Sequence, residues 1–198
     1  MADDTTPTRP IVADHDPGWR ARGVVISTEL RAALAPLALR VDHIGSTAIP
    51  GMAAKATFDL QISVGDLAEA AHAFEQPLAD RGFQLSPYQQ DHVPAGCDDD
   101  QARWAKRLWM RRGHPGGDVN LHVRLLGSPN ERFALLFRDW LRAHPEAVPS
   151  YARFKRVLAD TVADTGTYAD VKDPVVDLII AVAEPWATAT GWTPHPGT

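Results

Sequence analysis

Gly45-Ser46-Thr47 and Asp59 are the residues whose types and spacing most directly suggest chemistry. Glycine lets a backbone approach a ligand closely, and the two hydroxyls add donors suited to phosphate oxygens. A carboxylate on the following strand, across the turn from Gly45-Ser46, stands where a metal-held polyphosphate needs one. Lys55, between them in sequence, adds a cation. His43 borders the turn, where it either touches a ligand or serves as a hydrogen-bonded structural histidine.

Two alternating runs must position these groups. Over residues 58–64, Phe58, Leu60, Ile62 and Val64 point one way and Asp59, Gln61 and Ser63 the other. Over residues 119–125, Val119, Leu121, Val123 and Leu125 share one face, and Asn120, His122 and Arg124 share the opposite one. If both runs pack their apolar faces on the same helices, Asp59 and Gln61 share a solvent-facing surface with Asn120, His122 and Arg124. The Gly45-Ser46-Thr47 turn then lies at its edge. Such a set suits an anionic, phosphate-bearing ligand. The alternative is a wet sheet face whose polar residues need no ligand.

Other candidates carry less. Tyr151 and Lys155, and Tyr168 and Lys172, are each four residues apart. On a helix the first pair shares a face and could close over phosphates, or be an ordinary surface pair. Arg103, Lys106, Arg107, Arg111 and Arg112, with Trp104 and Trp109 interleaved, could stack on and clasp a nucleotide, or form a solvated strand. His15, His43, His72, His92 and His114 lack zinc-site spacing. Cys97 sits in an acidic loop with no cation beside it to favour a thiolate, so it is a poor nucleophile. There is no G-x-x-x-x-G-K-[ST] string, which excludes a P-loop kinase within this sequence.

The composition bounds the reading. At 198 residues, with 44% hydrophobic and 23% charged residues, one domain with a sizeable core is expected. A net charge of −5 supplies no basic field for extended nucleic acid or an anionic membrane. A lone cysteine excludes an internal disulfide, and the polar N-terminus does not read as a signal peptide. No apolar run is long enough to span a bilayer, and the expectation is a soluble, cytoplasmic protein.

Along the chain, residues 1–14 read as a flexible tail, 15–190 as a single domain and 191–198 as a second tail. A helix is expected from Pro17-Gly18-Trp19 to about Pro36, with Val24, Val25, Thr28, Leu30 and Leu34 as its apolar stripe. A strand follows over 37–44, then the run at 58–64. Asp66 caps a helix over 67–79, stopped by Arg81-Gly82. A short strand over 83–88 and a loop over 89–101 lead to a hairpin of 103–112 with 119–125. Phe133, Leu136, Phe137 and Trp140 mark a helix starting near Ser128, and two more are expected over 146–163 and 174–189, separated by Gly166. Strands followed by a helical block define an α+β class with a mixed sheet.

The run from His43 to Val64, HIGSTAIPGMAAKATFDLQISV, resembles the Gly-Ser to Asp core of the nucleotidyltransferase superfamily, and more closely the GrpB branch of it. VNLHVR from Val119, FRDWLRAHPE from Phe137 and the spaced Tyr151, Lys155, Tyr168 and Lys172 match the same branch. The resemblance implies a nucleotidyltransferase-like mixed sheet with flanking helices and a C-terminal helical block. It implies a nucleotide or other phosphorylated small molecule as ligand, held by His43, Gly45, Ser46, Thr47, Lys55, Gln61, Asn120, Arg124, Tyr151, Lys155 and Lys172. Asp59 and His122 are the candidate catalytic groups, and Asp59 the candidate ligand of Mg²⁺. Catalytic members of the superfamily carry Asp-x-Asp or Asp-x-Glu and hold two Mg²⁺ ions. Gln61 stands at the second acid here, so two-metal transfer is not expected. A narrower likeness, in WAKRLWMRRG from Trp104 and AEPWATATGW from Ala183, is to the GrpB-type domain that follows the kinase in actinobacterial dephospho-CoA kinases. It implies the alternative of an accessory to folding of such a kinase, without chemistry of its own.

Overall fold

The structure, a computed structural model, describes residues 9–194. Its strands are β1 (Arg40–Ile44), β2 (Thr57–Val64), β3 (Gln84–Leu85), β4 (Lys106–Arg111) and β5 (Asp118–Leu125), and its helices α1 (Trp19–Ala33), α2 (Leu67–Ala79), α3 (Pro129–Ala143), α4 (Val148–Thr161) and α5 (Thr165–Thr190). The strands form one mixed sheet in the order β1-β2-β5-β4-β3. The β2–β5 pair is parallel and the others antiparallel. This is the α+β architecture read from the sequence, with α3 to α5 as the C-terminal block.

The two alternating runs are in phase. Phe58 pairs with Val119 and Leu60 with Leu121, so the apolar residues of β2 and β5 share a face. That face is buried under α1 and α2, against Trp19, Ile26, Leu30, Phe74 and Leu78. Each such side chain contributes about 1.5–3 kcal/mol on burial. Of the stripe expected on α1, Leu30 and Leu34 are buried in the core, whereas Val24, Val25 and Thr28 are exposed and Gly23, Ile26 and Ser27 are buried instead. Gly23 sets this arrangement, because a Cβ there would come within 2.6 Å of the His43 ring.

The expectation of a solvent-facing polar surface is also corrected. Helix α3 crosses the second face, and Gln61 and Ser63 beneath it are fully buried. A strand at the centre of the sheet and paired parallel to its neighbour is commonly covered on both sides. What α3 brings is polar: Glu131 accepts from the Ser63 hydroxyl at 2.6 Å, and Arg138 pairs with buried Asp42 at 3.3 Å. A second apolar core joins Ile49 and Met52 to Leu136, Phe137, Tyr151, Val176 and Ile180, so the C-terminal helices pack on the segment after the Gly45-Ser46-Thr47 turn.

Helix α2 matches its expected span because the Asp66 carboxylate accepts from Ala68 N at 2.7 Å and Glu69 N at 2.9 Å. The last helix begins at Thr165 rather than near 174, so Gly166 lies in its first turn instead of separating two helices. Asp164 is its cap, accepting from Gly166 N and Thr167 N, and Pro174 is carried inside the helix. The first strand starts at Arg40 and the fourth at Lys106, later than expected, with a 3₁₀ turn over Gln101–Trp104 before the latter. Of the tail expected over 1–14, residues 1–8 lie outside the described residues. Ala13 pairs with Ala54 in a β-bridge, and Val12 packs on the second core. At the other end Trp192 packs on that core, and residues 195–198 lie outside the described residues. No helix among the described residues is long and apolar enough to cross a membrane.

Candidate functional site

Beyond the end of α3 the second face opens around Asp59. Its neighbour on β5, Asn120, donates from Nδ2 to Asp59 Oδ1 at 2.8 Å, and His122 Nε2 stands 3.8 Å from the same oxygen. Arg112 in turn donates to the Asn120 carbonyl. On the β1 side the chain leaves the sheet through Gly45, whose φ of 66° and ψ of −168° suit glycine alone. A Cβ at Gly45 would come within 2.8 Å of the Asp59 Cβ, so this backbone lies flush against the carboxylate. Burial by itself raises the Asp59 pKa, but the nearby His122 imidazole, the hydrogen bond from the Asn120 amide and the Lys55 charge outweigh it and hold the carboxyl at about 2.

His122 is neutral near pH 7. Burial is the main cause of its lowered pKa and the Arg124 charge the next, with Asp59 opposing. Arg124 Nη2 lies 3.4 Å from His122 Nδ1, and arginine only donates. Nδ1 is therefore the acceptor and Nε2 carries the proton, directed at Asp59. In this tautomer His122 orients the carboxylate; it has no free lone pair there with which to take a proton.

The cations come from three elements. Lys55, before β2, places its ammonium 5.3 Å from the Tyr168 ring centroid. Lys155 on α4 is buried, donates to Ser46 Oγ at 2.8 Å and to the Ala53 carbonyl, and sits 5.0 Å from the Tyr151 ring centroid. Burial first, then the charge of Lys172, lowers the Lys155 pKa to about 7. Lys55 is lowered for the same first reason, with Asp59 opposing and Lys172 and Arg112 adding to the effect. The sequence pairs Tyr151/Lys155 and Tyr168/Lys172 thus meet: α4 and α5 each bring one tyrosine and one lysine to the turn.

Not every expected site residue faces this opening. His43 points to the opposite face, under α1, where it bonds Thr47 Oγ1 at 2.8 Å; burial lowers its pKa to about 4. Thr47 is turned inward with it, so neither faces the opening. Gln61 donates to the Glu131 carbonyl and accepts from Arg124 under α3. Arg124 is committed as well, to Asp91 Oδ2 at 2.9 Å. Tyr151 is buried against Phe137 and the Lys155 ammonium. The basic strand is not a nucleotide clasp: Trp104 and Trp109 are core residues, Lys106 pairs with Asp91 at 2.6 Å, and Arg111 faces the α1 side. Gly45, Ser46, Lys55, Asp59, Asn120, His122, Lys155 and Lys172 remain around the opening.

Asp91 was not foreseen. It joins Lys106, Arg124 and Asn130, which donates to it at 3.0 Å. Burial opposes its ionisation, but Arg124 and Lys106 hold it well below the usual carboxylate range. It comes from a loop without periodicity, and no spacing in the sequence marks it. Arg112 was singled out only as part of the basic strand.

The donor set can be tested for metal chemistry. Among the described residues no three His, Cys, Asp or Glu side chains converge as a metal cage. Asp59 could supply a single oxygen to a Mg²⁺ ion completed by water and ligand phosphates, which is a usual mode for that ion. A two-metal arrangement does not fit, because buried Gln61 occupies the second acid's place.

Residues 9–181 match the family model described as GrpB protein. The chain is 38% identical over 196 residues to the dephospho-CoA kinase of Mycolicibacterium paratuberculosis, an alignment of 90% of this chain and 47% of that protein. It thus spans about half the length of the dephospho-CoA kinases it matches. It is 32% identical over 168 residues to the UPF0157 protein BH1888 of Halalkalibacterium halodurans, covering 84% of this chain and 78% of that one. The crystal structure of conserved protein GrpB from Enterococcus faecalis shares the fold, with a TM-score of 0.71 at 23% identity over 89% of this chain and 99% of that one.

Proposed function

Because the chain belongs to the GrpB family, whose sequence core resembles that of nucleotidyltransferases, we propose that it binds a nucleotide or another phosphorylated small molecule at the opening over Asp59. One observation carries this reading. In a chain of net charge −5, burial and then neighbouring cations lower the pKa values of two lysines: Lys172 acts on both Lys155 and Lys55, and Arg112 adds to the effect on Lys55. Gathering like charges at a part-buried place is costly, and an oxyanion there relieves both the repulsion and the desolvation. Ser46 and the backbone at Gly45 supply further donors at the same edge. Asp59, kept ionised, is available to a Mg²⁺ brought with the ligand's phosphates, and His122 and Asn120 fix its orientation.

A thermal-shift series with nucleoside mono-, di- and triphosphates and coenzyme A precursors, with and without Mg²⁺, tests the proposal. A ligand at 100 times its Kd adds about 2.7 kcal/mol to stability. At least one phosphorylated compound should raise Tm in the parent, and raise it less in Lys55→Ala. A flat response across the series refutes the reading.

A second reading rests on the relatives named dephospho-CoA kinase, in which the matched part is 47% of the protein. It makes this chain a non-catalytic partner that assists such a kinase. Refolding a dephospho-CoA kinase with and without equimolar chain discriminates the two: a higher yield of active kinase supports the assisting role, and an unchanged yield removes it.

A further inference from the structure

A separate cleft of about 760 Å³ lies on the α1 side of the sheet, between α1, the turn joining α2 to β3, and the end of β4. Its apolar wall is Ile26, Leu30 and Phe83, all buried residues, with half-buried Ala33 beside them. Arg111 forms the floor, only 6% exposed. Its guanidinium lies 5.0 Å from the Phe83 ring centroid, an arrangement that leaves the guanidinium edge free to donate. That edge is not used: Arg111 Nε is buried without a hydrogen-bond partner among the described residues. Glu29 and Asp118 act on it only through space. A buried guanidinium donor without an acceptor is expensive, and such groups are normally paired by protein, water or ligand. Arg81 and His114 at the rim are exposed.

The volume is within the usual range for small-molecule pockets; Arg111 is the buried charge of the lining, and the exposed charges of Glu29, Asp80 and Arg81 stand at its rim. We propose that this cleft is a second small-molecule site, which takes an organic anion with its carboxylate or phosphoryl group on Arg111 and its apolar body against Phe83, Ile26 and Leu30. The site is on the other face of the sheet from Asp59, so it does not depend on the phosphate-binding reading.

The intact protein, labelled with ¹⁵N, should be titrated with benzoate and with phenyl phosphate while the Arg111 Nε–Hε resonance is followed, assigned by its loss in Arg111→Lys. A saturable shift with either probe supports the site, and the probe that binds more tightly identifies the carboxylate or the phosphoryl group as preferred. Arg111→Lys, whose binding is read by titration calorimetry beside the parent's, should bind at least tenfold more weakly, because a lysine cannot reproduce bidentate contact. Ala33→Trp, which fills the cleft and leaves Arg111 in place, should abolish the shift, and it serves if Arg111→Lys fails to fold. Lys55→Ala should bind both probes as the parent does. The proposal is overturned if neither probe shifts the resonance, if acetate or inorganic phosphate binds equally well, or if Lys55→Ala alone abolishes the effect. It is also overturned if Glu29→Gln moves the resonance of the probe-free protein as far as a probe does, since Glu29 would then be the missing acceptor.

Discussion

Lys155 offers the sharpest test of how the opening is built. Its ammonium is buried at 2% exposure, and its pKa falls from 10.5 to about 7, first through burial and then through the charge of Lys172. Below pH 7 both the folded and the unfolded chain hold the proton, and the penalty for a buried charge is present in full. A displacement of this size corresponds to roughly 5 kcal/mol at about 1.4 kcal/mol per pKa unit. Between pH 7 and 10.5 the unfolded chain binds a proton that the folded one has released, so stability rises with pH; above 10.5 the difference is gone. Urea unfolding at pH 6 to 10 should therefore show a rise from this group of about 2 kcal/mol between pH 7 and 9, and Lys155→Met should remove that rise. A bound phosphate reverses the sign, because it restores the charged form. Binding at pH 8 should then take up a proton, seen as a dependence of calorimetric heats on the ionisation enthalpy of the buffer. Parallel pH profiles for the parent and Lys155→Met would refute the reasoning and mean that Lys155 stays charged throughout.

Three further outcomes are expected. Lys55→Ala should weaken the phosphorylated ligand by roughly 1–3 kcal/mol, read by titration calorimetry, as befits loss of a charge-assisted contact. Gly45→Ala should cost at least about 1–3 kcal/mol in urea unfolding from backbone strain alone, with the collision against Asp59 added; an unchanged midpoint would refute the close approach. Incubation with labelled nucleoside triphosphates, Mg²⁺ or Mn²⁺ and candidate acceptors should give no two-metal transfer, because no second carboxylate stands beside Asp59. Robust transfer that vanishes in Asp59→Asn would overturn this.

Period and capping chemistry made much of the fold legible. The alternation of β2 and β5 was enough to place Asp59 and Asn120 on one face, and the Asp66 cap fixed the start of α2. What alternation does not report is what covers a face. Gln61 and Arg124 read as exposed because polar residues on a strand look alike whether they meet water or a helix, and only the register and the polar residues of α3 distinguish the cases. Gly166 reads as a separator because glycine is a poor residue for a helix interior, yet it lies in the first turn of α5, where that cost is small. The Asp164 cap, visible as Asp-x-x-Thr, marks that start. His43 pairs with Leu60 and its neighbour Ile44 with Asp59, and neighbours along a strand point to opposite faces, so His43 is directed away from Asp59. Asp91 and the cleft at Arg111 depend on loops folding back over the sheet, which no periodicity encodes.

The bond from Lys155 to Ser46 spans 109 residues of sequence. It ties the α4 ammonium directly to the turn that lies against Asp59, and it cannot form until α4 has been made. The parallel pairing of β2 with β5 imposes the same order, because Asp59 and Asn120 must close a loop of 61 residues before they meet. Contacts so distant in sequence are slow to assemble. During synthesis, then, α1 and α2 are present to cover the apolar face of β2 while its edge toward β5 stays unpaired, and the opening acquires its charge pattern only when α4 and α5 arrive. Shortening the chain within α4 would remove the site as a unit rather than weaken it by degrees.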